Sequence, residues 1–429
     1  MLLGMIGEGI VAATFVALAA ATVLLGAGLA FKPARATQVL KAGVLTLRFG
    51  FVLATAAVVL LEFALLTDRF ELVYVARNSW TAMAWPYKIG ALWSGQAGSL
   101  LLWLWLLALY AALLSWRSRP AEDQGQGLLL PALAVLAGQA TFFALLVTFV
   151  ENPFAVQLPA PADGRGMNPL LQNPSMLAHP LLVYGGFVGM AVPFAFAVAA
   201  LWRRRVDAAW LRRTRRWTLV AWILLSAGML VGAQWSYIEL GWGGYWGWDP
   251  VENASLLPWL TATAFLHSAW VQERRGMLKT WNLGLIMATY ALTILGTLIT
   301  RSGVLASVHA FAQSPIGPWF VGYLGAILAL SCYLLLDRHR QLRREPRFES
   351  YLSREVGFHL NNWLLLAITF AVLWGTLFPI ISRFRGVDVT VGPPFYNRVA
   401  GPLLLGLIAL MGIGPVLAWR KSSPAAITA

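Results

Sequence analysis

Charge is sparse in this sequence and cysteine is almost absent. Only 12% of its 429 residues are Asp, Glu, Lys or Arg, against the roughly 25% of a soluble domain, which excludes an ordinary water-soluble fold. The single cysteine, Cys332, excludes an internal disulfide, a redox Cys-x-x-Cys pair and a cysteine-based zinc site. Histidine is scarce too, at five residues, and 18 acids stand against 32 Lys and Arg. What the sequence has instead is apolar length: 59% of its residues are hydrophobic and 21 are tryptophan.

A helix that crosses the hydrocarbon core needs about 20 mostly apolar residues. Runs of that kind lie near 6–31, 44–67, 97–115, 128–150, 180–202, 217–238, 257–271, 282–300, 317–336, 363–381 and 401–419. They predict an all-α polytopic integral membrane protein of about eleven transmembrane helices, a single multi-span domain over 1–429. The seventh run is short and is expected to extend a turn at either end. The first is too long, and lacks the charged flank, for a cleaved signal peptide, and is read as a span. The loops alternate sides: 24 of the 32 Lys and Arg fall on one set, as in RRRVDAAWLRRTRR, and 8 on the other. That asymmetry puts the basic loops in the cytoplasm, in the manner of a bacterial inner membrane. The net charge of +14 is then a topology signal, and no nucleic-acid partner is implied.

The outer connections are 71–96 (read as amphipathic), 151–179, 239–256, 301–316 and 382–400, and they are rich in Trp, Pro and Gly. Function is sought there. The segment from Trp235 to Leu260 carries Trp242, Tyr245, Trp246 and Trp248 among Gly241, Gly243, Gly244 and Gly247. Glycine permits tight turns and close approach to a flat ligand, while indoles offer wide, rigid apolar faces. The segment therefore reads either as a platform for a large planar amphiphile or as an interfacial anchoring belt. Asp249, Glu252 and Asn253 follow, and with Pro250 they suit the cap of a helix start, ligand contact being the alternative for Asp249.

The histidines divide by depth. His179 precedes Pro180, the expected first residue of the fifth span, and His309 lies in RSGVLASVHAFAQSP, so both belong to the outer surface and flank the tryptophan segment. A haem iron takes axial ligands from opposite faces, and these two could pair. His267 lies about 13 Å below the outer surface at 1.5 Å per residue, where an ionisable group is either functional or a neutral imidazole bonded to a neighbouring helix. His339 sits in a basic run and reads as solvated; His359 is assigned nothing. Glu62, about 7 Å inside its span, is a proton relay or a carboxyl bonded to an aromatic. Arg301, at the outer end of the eighth span, either binds a carboxylate such as a haem propionate or snorkels to lipid phosphate.

These residues resemble a known family. GWGGYWGWDPVENASLLPWL, LHSAWVQERRGMLKTW and LGTLITRSGVLASVHAFAQSP are similar to the signature of the haem-handling WWD proteins of cytochrome c maturation, the CcmF family. WSGQAGSLLLWLWLL, NPFAVQLPAPADGRGMNPLLQNPSMLAHP, SREVGFHLNNWLLL, GTLFPII, VGPPFYNRVAGPLLL and LMGIGP extend the likeness over most of the chain from about residue 70. The resemblance implies a cytochrome c haem lyase acting within a multi-subunit complex. His179 and His309 would be axial, catalytic ligands of a substrate haem, and Trp242, Tyr245, Trp246, Trp248, Asp249 and Arg301 would hold it. His267 would help bind a resident b-type haem in the membrane. The implied partners are the haem chaperone CcmE, CcmH/CcmI-type subunits that present apocytochrome c, membrane lipid, and quinol as electron source. Fuller family members continue beyond the point where this sequence ends, with an outer domain and further spans, one carrying the opposite ligand of the membrane haem. The alternative is a haem relay without covalent chemistry.

Overall fold

The computed structural model describes residues 1–30, 33–117, 127–241, 243, 245–305, 307, 315–343, 346 and 348–421. Among them are fifteen α-helices and no strand. Along the first half run α1 (Leu2–Ala30), α2 (Pro33–Leu66), α3 (Val73–Asn78), α4 (Trp85–Ser94), α5 (Gln96–Arg117), α6 (Leu129–Phe149), α7 (Pro174–Gly189) and α8 (Ala191–Trp202). Then come α9 (Ala209–Glu239), α10 (Pro250–Arg275), α11 (Lys279–Ser302), α12 (Gly317–Asp337), α13 (His339–Leu342), α14 (Arg354–Arg383) and α15 (Pro393–Ile413).

Ten spans among the described residues are long and apolar enough to cross a membrane, with α7 and α8 together forming one, Pro174–Trp202. The eleventh expected span corresponds to α10, which is 26 residues long but carries Glu252, Glu273, Arg274 and Arg275 and is more polar throughout. It runs seven residues before and four residues beyond the apolar stretch 257–271, because Asp249 and Pro250 start the helix early and Gly276, at φ 68°, ends it. Polar side chains are tolerated there because the helix is enclosed by α9, α11 and α14. Asn282 of α11, for example, donates to Gln272 Oε1 at 2.8 Å and accepts from Ser268.

The fifth span departs from expectation in one informative way. Its helix starts at Pro174, capped by the Asn173 side chain accepting from Ser175 N, so Pro180 lies inside α7 and His179 is helical. Asn-Pro six residues upstream is the stronger start signal, since it supplies a cap and a residue needing no donor. Pro180 has no N–H for the carbonyl of Met176, and the indole of Trp93 donates to that oxygen instead, at 3.3 Å.

Small residues set how closely α7 and α9 approach. Gly185, Gly186 and Gly189 of α7 face Leu224, Leu225 and Ala221 of α9, while Gly228 of α9 faces Val183. Lipid offers no hydrophobic drive between helices, so such close backbone packing supplies the association.

The segments between α2 and α5 and between α6 and α7 fold over one end of the bundle, called here the tryptophan end. Lys88, on α4, donates to Asp68 Oδ1 and Oδ2 at 2.6 and 2.7 Å and to Thr81 O at 3.2 Å, pinning α4 to the end of α2. Asp163 accepts from the backbone N–H of Thr81 and of Gly164, which together hold its carboxyl below the usual range. Lys88→Met is expected to cost about 3 kcal/mol, the low end of what breaking a buried pair costs, because the Asp68 side chain keeps 25% exposure. A lowered thermal midpoint in detergent would show it; an unchanged midpoint would mean that the pair adds nothing.

Candidate functional site

At the tryptophan end a cavity of about 440 Å³ opens between α4, α5, α7, α9, α10 and α11. This is within the roughly 300–1,000 Å³ of small-molecule sites. Trp93, Trp103, Tyr184 and Phe187 supply much of its apolar wall. Its polar wall includes His179, Glu252 and Arg301.

His179 projects from the second turn of α7. Its Nδ1 is 2.8 Å from the carbonyl oxygen of Gly228 on α9. A carbonyl only accepts, so Nδ1 carries the proton and Nε2 is the basic nitrogen. That is the arrangement in which metal-binding imidazoles are commonly held, with the second nitrogen donating to a carbonyl or carboxylate.

Arg301, at the end of α11, is 1% exposed and turned into the bundle, so snorkelling to the membrane surface is excluded. Its guanidinium donates to Ser99 Oγ, to Gln96 Oε1 at 3.4 Å and to Tyr184 Oη at 2.9 Å. It also lies 5.5 Å from the centre of the Tyr184 ring. These contacts tie α11 to α5 and α7 and set a positive charge in the cavity wall.

The tryptophan segment divides between cavity and scaffold. Tyr245 and Trp246 line the cavity, and Tyr245 is 82% exposed. Trp248 is not among the lining residues. Its ring stacks on Tyr396 of α15 at 4.9 Å and 7°, and its Nε1 donates to Asn397 Oδ1 at 2.8 Å. This seat also offsets its backbone, which has φ 57°, a left-handed conformation that costs a bulky residue about 1–2 kcal/mol. Asn253 fastens the segment from beneath, donating to Trp248 O at 3.1 Å and to Thr376 Oγ1 of α14 at 3.0 Å. Asp249 does cap α10: it accepts from Val251 N at 2.9 Å within a capping box completed by Glu252. It also accepts from Ser307 Oγ at 2.7 Å, joining the start of α10 to the connection after α11. Trp242 and His309 lie outside the described residues.

His267 is away from this cavity, on the α10 face that meets α14. Its Nδ1 is 2.7 Å from the amide of Asn361, and its ring stacks on Phe358 at 5.5 Å. The pair can be satisfied with the Asn361 N–H donating to Nδ1, or with Nδ1–H donating to the Asn361 oxygen; only the second leaves the Nε2 lone pair for iron. An axial role for His267 in a membrane haem requires the second arrangement. No group of three or more metal-capable side chains occurs among the described residues. His339 is exposed, with Nδ1 2.8 Å from Leu336 O. His359 accepts from Trp363 Nε1 at 3.1 Å and packs against Trp281. Glu62 Oε2 is buried with no hydrogen-bond partner among the described residues, so of the two readings of Glu62 the bond from an aromatic group to that oxygen is not made there.

Sequence reasoning missed Tyr184, Gln96 and Ser99 around Arg301, and the glycines behind His179. The small-xxx-small spacing in GMLVG was the available signal for the glycines. Nothing local marks the others, which come together only through the packing of α5, α7 and α11.

Comparison with known proteins bears on this arrangement. Residues 93–305 match the family described as Cytochrome C assembly protein. The cytochrome c-type biogenesis protein CycK of Rhizobium meliloti is 44% identical over 373 residues, covering 86% of this chain and 55% of that protein. The probable cytochrome c-type biogenesis protein NrfE of Escherichia coli is 39% identical, covering 88% of this chain and 69% of that protein. A solved structure titled Cytochrome c Heme Lyase CcmF superposes with a TM-score of 0.77 at 36% identity, covering 98% of this chain and 62% of that one. The chain thus spans a little over half the length of CycK. Its fold, its tryptophan segment and these relatives agree: the chain belongs to the CcmF family of cytochrome c biogenesis proteins.

Proposed function

We propose that this chain holds a substrate haem at the tryptophan end and promotes thioether formation between the haem vinyl groups and the cysteines of an apocytochrome c CxxCH motif. The observation that carries the reading is His179, its Nδ1 fixed by a carbonyl, on the wall of an aromatic cavity that also presents Arg301. In this reading His179 and His309 take the two axial positions. Trp242, Tyr245 and Trp246 cover the macrocycle, Trp248 and Asp249 hold that cover in place, and Arg301 receives a propionate.

Each thiol adds across a vinyl double bond: sulfur bonds to the inner carbon and the thiol proton goes to the terminal one. The substrate brings both reacting groups, and the chain's one cysteine, Cys332 on α12, takes no part. The protein contributes placement, which at its best is worth roughly 7–11 kcal/mol of barrier. The stacked, hydrogen-bonded seat of Trp248 keeps the tryptophan cover from yielding when the apocytochrome approaches. His267 would hold a b-type haem, which when bound would supply electrons for reduction of the substrate iron. Asn361 would orient the His267 ring.

The asymmetry of Lys and Arg turns the cavity toward the periplasmic side of a bacterial inner membrane. CcmE is the proposed haem donor, CcmH/CcmI-type subunits present the apocytochrome, and quinol is the proposed source of electrons.

The test is an absorption spectrum of the purified chain titrated with haemin, with and without reductant, beside the cytochrome c yield of cells that express it. The wild type should give a low-spin haem spectrum. His179→Ala should lower both haem occupancy and cytochrome c yield at least tenfold at unchanged expression. Equal occupancy and yield in that variant would overturn the site. Haem binding with no covalent product from reduced apocytochrome and the complete set of partners would leave a relay.

A further inference from the structure

We infer that Gly228 and Gly232 of α9 form a socket that sets the rotation and the tautomer of His179, and so decides which nitrogen reaches the iron of a porphyrin in the cavity. The inference rests on the reading of His179 as a haem ligand and assigns positioning roles to two glycines.

The two glycines bracket one helical hydrogen bond, since the carbonyl of residue 228 is the i−4 acceptor for the N–H of residue 232. A carbonyl oxygen has a second lone pair, and His179 Nδ1 approaches it at 2.8 Å. The imidazole therefore lies against the turn from which the side chain of residue 232 would project. A Cβ built on Gly232 would sit 2.6 Å from His179 Cε1 and 2.7 Å from Nδ1, but 3.5 Å from Nε2. The collision is with the Nδ1–Cε1 edge of the ring, the edge that faces the Gly228 carbonyl, and Nε2 is the more distant of the two nitrogens.

Gly228 has a different task. A Cβ there would meet the Val183 backbone N at 2.9 Å and Cγ2 at 2.7 Å, so its smoothness brings α7 close enough for the imidazole to reach the carbonyl. The α7 backbone is fixed beside the ring by the indole of Trp93 on the Met176 carbonyl. Thus one glycine supplies approach and an acceptor, and the other supplies room. The carbonyl makes Nε2 the ligating atom and raises its basicity, as acceptors behind metal-bound imidazoles do.

The experiment uses the full chain in detergent, titrated with haemin and read by absorption and electron paramagnetic resonance. Gly232→Ala should weaken haemin binding tenfold or more and convert the low-spin signature to high-spin, with the thermal midpoint nearly unchanged, because the clash is with a side chain that can turn away. The double variant Gly232→Ala/His179→Ala should bind no more weakly than His179→Ala alone. A second route does not depend on that fold being kept. In His179→Gly, free imidazole should restore the low-spin signature, and 1-methylimidazole, whose substituted nitrogen cannot donate to the Gly228 carbonyl, should need at least tenfold more.

A wild-type spectrum in Gly232→Ala, additive losses in the double variant, or equal rescue by the two imidazoles would each overturn the socket. If His179→Ala itself keeps the wild-type spectrum, the ligand reading fails and the socket falls with it. That outcome is distinct from the other three.

Discussion

Gly186→Val should leave no correctly assembled bundle. A Cβ at position 186 would lie 2.8 Å from Leu225 N and 2.9 Å from Ala221 O, both backbone atoms of α9, and 2.6 Å from Leu225 Cβ. Backbone in a helix cannot turn aside as a side chain does, so α7 and α9 must separate. Overpacking a well-packed core with methylenes costs about 1–3 kcal/mol, and a branched side chain driven against helix backbone should exceed about 4 kcal/mol, a size reached only by named failures of this kind. Separating α7 from α9 also withdraws the Gly228 carbonyl from His179 and opens one wall of the cavity. The expected observation is a protein that is degraded or aggregates in the membrane fraction, while the equally apolar change Ile223→Val, on an exposed part of α9, is accepted. A folded Gly186→Val protein with an unshifted thermal midpoint would show that the two helices are not held by close approach.

How much of this was legible in the sequence depended on whether the deciding signal was local. Apolar length alone located the long helices, and Asp249-Pro250 announced the start of α10, because a cap and its helix are neighbours in the chain. Pro180 misled for the same reason: a proline reads as a helix start, and only the competing Asn173-Pro174 six residues earlier, with Trp93 ready to take the freed carbonyl, makes it an interior residue. Thr289, Thr293 and Thr297 precede Arg301 at intervals of four on a buried stripe of α11, yet the direction of Arg301 was undecided because a polar stripe in an apolar helix does not say what it packs against. Its partners Ser99 and Tyr184 lie more than a hundred residues away. Trp248 was grouped with Trp246 by proximity in sequence, yet the two rings make contacts of different kinds, because Tyr396 and Asn397 come from a helix nearly 150 residues on. Gly232 was passed over because glycine is common in apolar helices and only the opposing imidazole gives it a meaning.

Arg301→Leu should weaken haemin binding by about a hundredfold or more, on the reading that its guanidinium receives a propionate. Hydrogen bonds to charged groups contribute about 1.5–3 kcal/mol each, and each 1.4 kcal/mol is tenfold in affinity. Two such bonds in the fork geometry that arginine offers a carboxylate account for the effect. The same residue also has a purely structural task, since it donates to Ser99, Gln96 and Tyr184. Losing it leaves the Ser99 hydroxyl, on a residue with 0% exposure, without that donor, so a fall in affinity alone does not separate the two tasks. A change of ligand does. Haemin and its dimethyl ester share the ring, the iron and the vinyl groups, and differ in whether the propionates carry charge. The wild type should prefer haemin to the ester by at least tenfold, and Arg301→Leu should bind the two alike, because the group that distinguishes them is gone. Arg301→Lys keeps the charge and loses the fork, so it should retain part of the preference. If the wild type binds the ester as tightly as haemin, Arg301 is a strut between α5, α7 and α11 and nothing more.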